Sequence, residues 1–411
     1  MAGCFGLCLA LFGTPAAAEQ NERNPDVAVT ELDTLDVSIV AVSQQLGADA
    51  SDTGERQRRL NLRLDLQGRL PLLDRGRHLG GVVGHLRAGL GTGVVTEGLF
   101  GGTVNGTGFD GDDGADDRYG IVAEAYYHHL YRLGGGSAGF GSADLTGSSH
   151  LAFAAGKFEA FTFFDHNEFA AEEAETFLNE SFMHNPILGV GDDIGADSYG
   201  FSPGVRAAYF NNTGRRHGWG VSIGLLSAGD EATTRRLPRK PLVIVQGEVT
   251  TKGQGGDVLG TIRLYAWRNR MAEDFDEQMA THNGWGVSLD HRLVGDIGIF
   301  GRYGERTRGA GLFNRALTAG VVVAGAGWNR PEDLIGIGFG RLAAGSRYGS
   351  SVGQGAGGLP PGAERTVEVF YRFDVGRHLE VTPDFQYVAR PGGLSSASSV
   401  RVVGLKIRFS P

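Results

Sequence analysis

Along most of this chain apolar and polar residues alternate one by one. Leu60, Leu62, Leu64 and Leu66 fall on one side of an extended segment while Arg63, Asp65 and Gln67 fall on the other. Side chains of a strand point alternately to its two faces, so this beat reads as a strand with one apolar and one polar face. Similar runs occupy 37–42, 60–67, 81–90, 119–131, 149–158, 203–211, 217–228 and 241–250 in the first part of the chain. They continue at 258–269, 284–293, 296–305, 316–324, 333–343, 364–375, 378–388 and 399–410. The pattern predicts an all-β fold of about sixteen strands.

The faces repeat from strand to strand. Ile262, Leu264 and Ala266 oppose Arg263, Tyr265 and Trp267; Val367, Val369, Tyr371 and Phe373 oppose Glu368, Phe370, Arg372 and Asp374. A soluble sandwich shows such alternation with its polar face in bulk water, and a transmembrane antiparallel barrel shows it with apolar residues toward lipid and charges toward a watery lumen. The even strand count favours the barrel, as do aromatics near strand ends: Trp219, Trp285, Tyr371 and Tyr387. Sixteen strands enclose an aqueous channel.

One stretch breaks the beat. From Phe163 to Pro186, Ala170, Ala174, Phe177, Leu178 and Ser181 or Phe182 recur at helical spacing, with Glu172, Glu173, Glu175 and Asn179 mostly off that face. Asp165 and Glu168 offer a capping box, and Asn185 before Pro186 ends the run. The spacing predicts a helix of about three to four turns in a long loop between strands. Other connectors divide into short ones, such as Leu293 to Ile297 and Val375 to Leu379, and long ones at Gly91 to Arg118 and Ala343 to Glu364. That asymmetry suits periplasmic turns opposite extracellular loops.

Glycine supplies 68 of the 411 residues without a collagen period, which points to many turns or a glycine-rich sheet. The net charge of -9 argues against nucleic acid as a partner. Phe5 to Phe12 followed by T-P-A-A-A-E-Q reads as a signal peptide cleaved after Ala18, although no basic residue precedes Arg23. Both cysteines, Cys4 and Cys8, lie in that segment, so the exported chain needs no disulfide. The expected organisation is a signal peptide at 1–18, a polar segment at 19–36 and the barrel at 37–411, with 163–186 as its inserted helical loop.

Motifs for chemistry fail on inspection. Gly200-Phe-Ser-Pro-Gly204 fits a nucleophile elbow by spelling, but Pro203 lacks the N–H that an oxyanion hole takes from the residue after the serine. His128 and His129 are adjacent on a strand and point to opposite faces. The acidic run Phe109 to Asp117 has Gly114 where a calcium loop would place an oxygen ligand, so it reads as a solvated turn. The residues imply neither a metal, a cofactor nor an enzyme.

Two blocks then carry a resemblance. Phe164, Asp165, Asn167, Ala170, Glu173, Phe177, Leu178, Asn179, Asn185 and Pro186 form the first; Glu368, Tyr371, Arg372, Thr382, Pro383, Asp384, Gln386, Tyr387, Pro391, Gly392 and Gly393 form the second. Together they resemble the carbohydrate-selective outer-membrane porins of the OprB type. Arg390 and the terminal F-S-P depart from that pattern. The resemblance implies a sixteen-stranded barrel in a Gram-negative outer membrane, sugar diffusion into the periplasm and a loop folded into the lumen. Its expected partners are carbohydrate solutes, outer-membrane lipid and lipopolysaccharide, and the barrel assembly machinery.

A sugar offers hydroxyls to Arg, Glu and Asp and C–H faces to aromatics. Pore-lining candidates by face are Arg63, Asp65, Arg87, Glu124, Arg206, Arg263, Trp267, Asp290, Arg302, Glu368 and Arg372, each singly more an ordinary lumen charge than a binding contact. Asp165, Asn167, Glu172, Glu173, Glu175 and Asn179 are the candidates for a constriction. A barrel enzyme, a polysaccharide exporter and a soluble secreted glycan-binding β protein are the alternative readings.

Overall fold

The computed structural model describes residues 35–47, 56–94, 98–108, 118–134, 148–190, 193–194, 199–229, 237–293, 296–356 and 361–411. The signal-peptide segment and the acidic run at 109–117 lie outside the described residues. Sixteen strands follow in order: β1 (Asp36–Leu46), β2 (Gln57–Arg75), β3 (His78–Leu90), β4 (Arg118–Arg132), β5 (Ser149–Glu159), β6 (Phe201–Asn211), β7 (His217–Leu226) and β8 (Leu242–Lys252) make the first half. The second half is β9 (Val258–Glu273), β10 (Met279–Arg292), β11 (Ile297–Arg308), β12 (Phe313–Gly325), β13 (Arg330–Ala344), β14 (Ala363–Asp374), β15 (Leu379–Ala389) and β16 (Val400–Phe409). Each pairs antiparallel with the next, and β1 pairs with β16 to close the ring. Every expected strand is present; β2, β9 and β10 run several residues further than alternation alone marks.

The closed sheet is inverted relative to a soluble protein. On β9, Leu264 is 57% exposed on the outer surface while its neighbours Arg263 and Tyr265 are buried inside. The same division holds for Leu60, Leu62 and Leu64 against Asn61 and Arg63, and for Val403, Leu405 and Ile407 against Val402 and Lys406. A continuous apolar exterior is stable only against lipid. Among the described residues no helix is long and apolar enough to cross a membrane. Aromatic pairs sit on the outer face near strand ends: Tyr209 with Trp219, and Trp328 with Tyr371.

The 163–186 stretch is not one helix, which corrects the periodicity reading. Within it only α1 (Glu180–Met183) is α-helical, and its cap is Asn179, whose side chain accepts from the Ser181 N–H. Asparagine side chains take the backbone N–H two residues on at three points: Asn167 with Phe169, Asn179 with Ser181 and Asn185 with Ile187, all at 3.0–3.1 Å. Such local bonds compete with helical ones and break the run into turns. Asp165, with φ of 56°, forms no capping box; its carboxylate accepts from Asn185 N–H, and Glu168 goes to Arg292. The apolar spacing marks a different surface. Phe177 and Phe182 pack with Phe300 and Phe370 on the barrel's inner wall.

Glycines prepare that wall. A Cβ at Gly298 would come within 2.4 Å of the Phe169 ring, one at Gly304 within 2.2 Å of Asn185, and one at Gly338 within 2.9 Å of both Phe177 and Phe182. Part of the unusual glycine content is therefore a bed cut into the inner face of β11 and β13.

Candidate functional site

The connection between β5 and β6, here L3, folds into the barrel and is tied to its wall nearly all the way round. At its entry Asp165 donates its N–H to Gln246 of β8, and its carboxylate accepts from the Tyr265 hydroxyl of β9. Arg302 of β11 holds the same carboxylate, with Nε 3.0 Å from Oδ2, and donates to the Phe182 carbonyl at 2.7 Å. Asn167 donates to the Leu289 carbonyl of β10, and Glu168 pairs with Arg292 at the end of that strand. Across the lumen Glu368 of β14 accepts from the Leu178 and Asn179 N–H groups at 2.6 and 2.9 Å, and Asn179 donates to Gln386 of β15. Lys406 of β16 donates to the carbonyls of Glu173 and Thr176 at 2.9 and 2.7 Å.

L3 then meets the opposite wall in a dense charge cluster. Arg63 of β2 contacts Asp65 at 2.7 Å, Glu172 at 3.7 Å and Glu173 directly. Arg87 of β3 contacts Asp65 at 2.7 Å and Glu173 at 3.9 Å, and His85 joins Asp65 at 2.8 Å. Burial pushes the Glu173 carboxyl up, but Arg63 and Arg87 outweigh it and hold the group down at about 2. Glu175 pairs with Arg408 at 3.0 Å. Of this cluster Glu172 and Glu175 keep about a third of their side-chain surface open, and Asp65 and Arg87 about a tenth.

At the loop's exit Asp193 is a second knot. Trp267 donates to it at 3.1 Å, Arg306 at 3.2 Å, and the fully buried His282 places one ring nitrogen on Asp193 and the other 2.9 Å from Asp274. Two ring N–H donors satisfy that arrangement. Asp274, on the β9–β10 connection, also accepts from the Ala310 N–H and from Arg347. Burial raises its pKa, but the Ala310 amide, His282 and Arg347 together leave it below the ordinary carboxylate value.

The sequence-predicted candidates thus divide. All eleven strand candidates belong to this inner system, but Arg302 and Glu368 are fully buried beneath L3 and serve as its anchors rather than as an open lining. Arg263 is paired with Asp290, Trp267 is spent on Asp193, and Arg372 reaches the Glu175 carbonyl at 3.5 Å. Arg206 lies over the Phe163 and Phe210 rings and donates to Ser222, and Glu124 accepts from Glu159 N–H and Thr162. Asp65 and Arg87 keep a partly open face. The gap in the sequence reading has one cause: a loop that covers the wall cannot be seen in strand alternation.

Sequence reasoning also missed the second loop inside the barrel, 98–108, between β3 and β4. Its Phe100 and Gly101 N–H groups bind the Glu364 carboxylate, its Val104 carbonyl accepts from Gln44 and Gln386, and Asn105 donates to Asn61. The readable signal was Asn61, an amide on the inward face just before Arg63 and Asp65 in a strand rich in charges and leucines. Ser202 of the elbow-like motif is buried and donates to the Ser227 carbonyl. Among the described residues no group of three or more His, Cys, Asp or Glu could hold a metal ion.

A lipid-facing exterior, sixteen closed strands and a loop tied across a charged lumen define an outer-membrane porin barrel. The chain belongs to the OprB family of carbohydrate-selective porins, whose model matches residues 143–410. It is similar to Porin AaxA of Chlamydia pneumoniae, at 26% identity over 161 residues, 39% of this chain; the match spans 34% of that relative's length. Among solved structures it resembles Pseudomonas putida OprB, with 16% identity, a TM-score of 0.67 and coverage of 92% of this chain and 94% of the other. An anion-selective porin from Comamonas acidovorans matches with 13% identity and a TM-score of 0.53, covering 92% and 99%. Family and fold place the protein in the outer membrane of a Gram-negative bacterium, and both are those of a channel.

Proposed function

We propose that the protein admits carbohydrates to the periplasm by passive diffusion, through a water-filled pore narrowed by L3 against β2 and β3. The observation that carries this reading is the facing of opposite charges where L3 crosses: Glu172 and Glu173 on the loop, Arg63 and Arg87 on the wall, with Asp65 between them. Arginines and carboxylates side by side offer donors and acceptors that a row of hydroxyls can bridge, while the balanced charge avoids trapping a neutral solute. Asp65, Arg87, Glu172 and Glu175 are the side chains assigned to touch the passing sugar. Asn167, Asn179 and Asp165 set the loop's shape.

Purified protein in planar bilayers should show ion current that falls as a permeant sugar is titrated in. Replacing Phe169 to Glu180 by a glycine–serine bridge should give a folded barrel with larger conductance and no sugar block. A folded deletion variant with the parent's conductance and solute size limit would overturn the constriction role. Sugar-independent current in the parent would overturn the carbohydrate reading itself.

A further inference from the structure

The short turns at the end of the barrel opposite L3 carry a sequence repeat that the pore does not use. The β2–β3 turn reads Arg75-Gly76-Arg77-His78, the β6–β7 turn Gly214-Arg215-Arg216-His217, and the β14–β15 turn Gly376-Arg377-His378. All five arginines and all three histidines are exposed. None of the five arginines has an ion-pair partner among the described residues. Beside these turns Asp74, Asp374 and Glu380, which stands opposite Asp374 on β15, add negative charge, so five arginines against three carboxylates leave the three turns with a surplus of positive charge.

Their height on the barrel is fixed by the aromatics next to them. His78 packs on Tyr131 with ring centroids 4.7 Å apart, His378 lies 6.3 Å from the Phe409 ring, and Trp219 follows His217 by two residues on the outer face. Aromatic girdles mark the boundary between hydrocarbon and headgroups. Arg75 stands level with His78 and Arg77 one residue beyond it, Arg377 two beyond the Phe409 pair, and Arg216 and Arg215 three and four beyond Trp219, which sets them at the level of lipid phosphates.

The three turns also follow a spacing. In the closed ring the β14–β15, β2–β3 and β6–β7 hairpins lie four strands apart, so they mark out one half of the circumference. The turns of the other half, 253–257, 293–296 and 326–329, contain no arginine, and the arginines at the strand ends beside them, Arg292 and Arg330, are paired with Glu168 and Asp333. Four strands at about 4.8 Å each separate neighbouring sites by roughly 20 Å, too far for the three turns to close on a single small anion.

We propose that this rim is a binding surface for anionic phospholipid of the leaflet facing the periplasm, each turn taking the phosphate of a separate headgroup. Guanidinium groups match phosphate oxygens with paired planar donors, and basic clusters at a membrane surface select anionic lipid.

The test compares lipid retained by the detergent-purified barrel from an equal mixture of phosphatidylglycerol and phosphatidylcholine, read by native mass spectrometry. The rim variant changes Arg75, Arg77, Arg215, Arg216 and Arg377 to Gln. A charge-matched variant changes Arg239, Arg315, Arg341, Arg365 and Arg401, exposed toward the loop end, to Gln. Heat-modifiable gel migration and bilayer conductance confirm that each is folded. The parent and the loop-end variant should be enriched in phosphatidylglycerol by about tenfold, and the rim variant should return to an equal ratio. No enrichment in the parent, enrichment retained by the rim variant, or equal loss in both variants would overturn the proposal. So would abolition of the enrichment by ~10 mM inorganic phosphate, a free-anion site of the kind that guanidinium groups also make. Arginine-dependent sedimentation with peptidoglycan in place of any lipid preference would overturn it too.

Discussion

At the scale of single residues the protein concentrates its specificity in buried polar groups that hold L3. Arg302 is the clearest: fully buried, it meets the Asp165 carboxylate and the Phe182 carbonyl at once. Arg302→Ala leaves that carboxylate in a water-poor site without its cation, a change that costs about 3–5 kcal/mol at a buried pair. The loop should absorb this loss rather than the barrel, whose ladders do not depend on Arg302's side chain. The expected result is a folded, heat-modifiable barrel with L3 newly sensitive to protease and with larger, noisier conductance. Glu173 sets a pH window. Its carboxyl is held at about 2 against an ordinary value of 4.5. A group with a depressed folded-state pKa contributes stability that is present above the unfolded value and lost as pH falls through the folded one. The Glu173 contacts should therefore survive to about pH 3 and fail toward pH 2. Single-channel conductance should be steady from pH 6 to 3 in the parent, and Glu173→Gln should show the opened state already at pH 6.

At the scale of elements, the sixteen strands were legible because each has lipid on one face and a polar interior on the other, a contrast that alternation records directly. L3 was legible as an interruption but not as a shape. Its apolar residues sit at helical spacing for another reason: Phe177 and Phe182 fill the space above Gly338, and Asn167, Asn179 and Asn185 bend the chain before, between and after them. Helix propensity lost to side chains bonding their own backbone and to a wall that only the closed barrel creates. The roles of Arg302 and Glu368 were hidden likewise, since an inward strand position covered by a loop reads the same as one facing water. Glycine at the wall is therefore a requirement. At Gly304→Ala the new methyl group would stand 2.2 Å from Asn185 Oδ1, and Asn185 is fixed by the Tyr265 hydroxyl and the Tyr303 carbonyl. The substitution should leave strand content unchanged by circular dichroism while raising conductance and weakening sugar block. Gly84→Ala, where an added Cβ meets nothing within 4 Å, should do neither.

At the scale of the whole molecule the arrangement is that of two solvents separated by one sheet. Water reaches the lumen, lipid reaches the outside, and consecutive side chains of one strand belong to different media. The exposed Leu264 and the buried Arg263 are neighbours in sequence, yet a charge is satisfied at one and unsatisfied at the other. Arg263 has Asp290 and Glu248 beside it; an arginine at 264 would have hydrocarbon. Leu264 lies near the middle of β9, so Leu264→Arg should destabilise the folded barrel in lipid vesicles by about 2–4 kcal/mol, the cost of a cation at the midplane of a lipid-facing wall. Trp219 is near the end of β7, where headgroups and water are close, and Trp219→Arg should cost about 0–1 kcal/mol for its charge. Urea unfolding in vesicles, followed by the change in gel migration, measures both. Equal costs at the two positions would mean that the apolar band is not centred on the strand midpoints, and a negligible cost at 264 would mean that this face does not meet lipid.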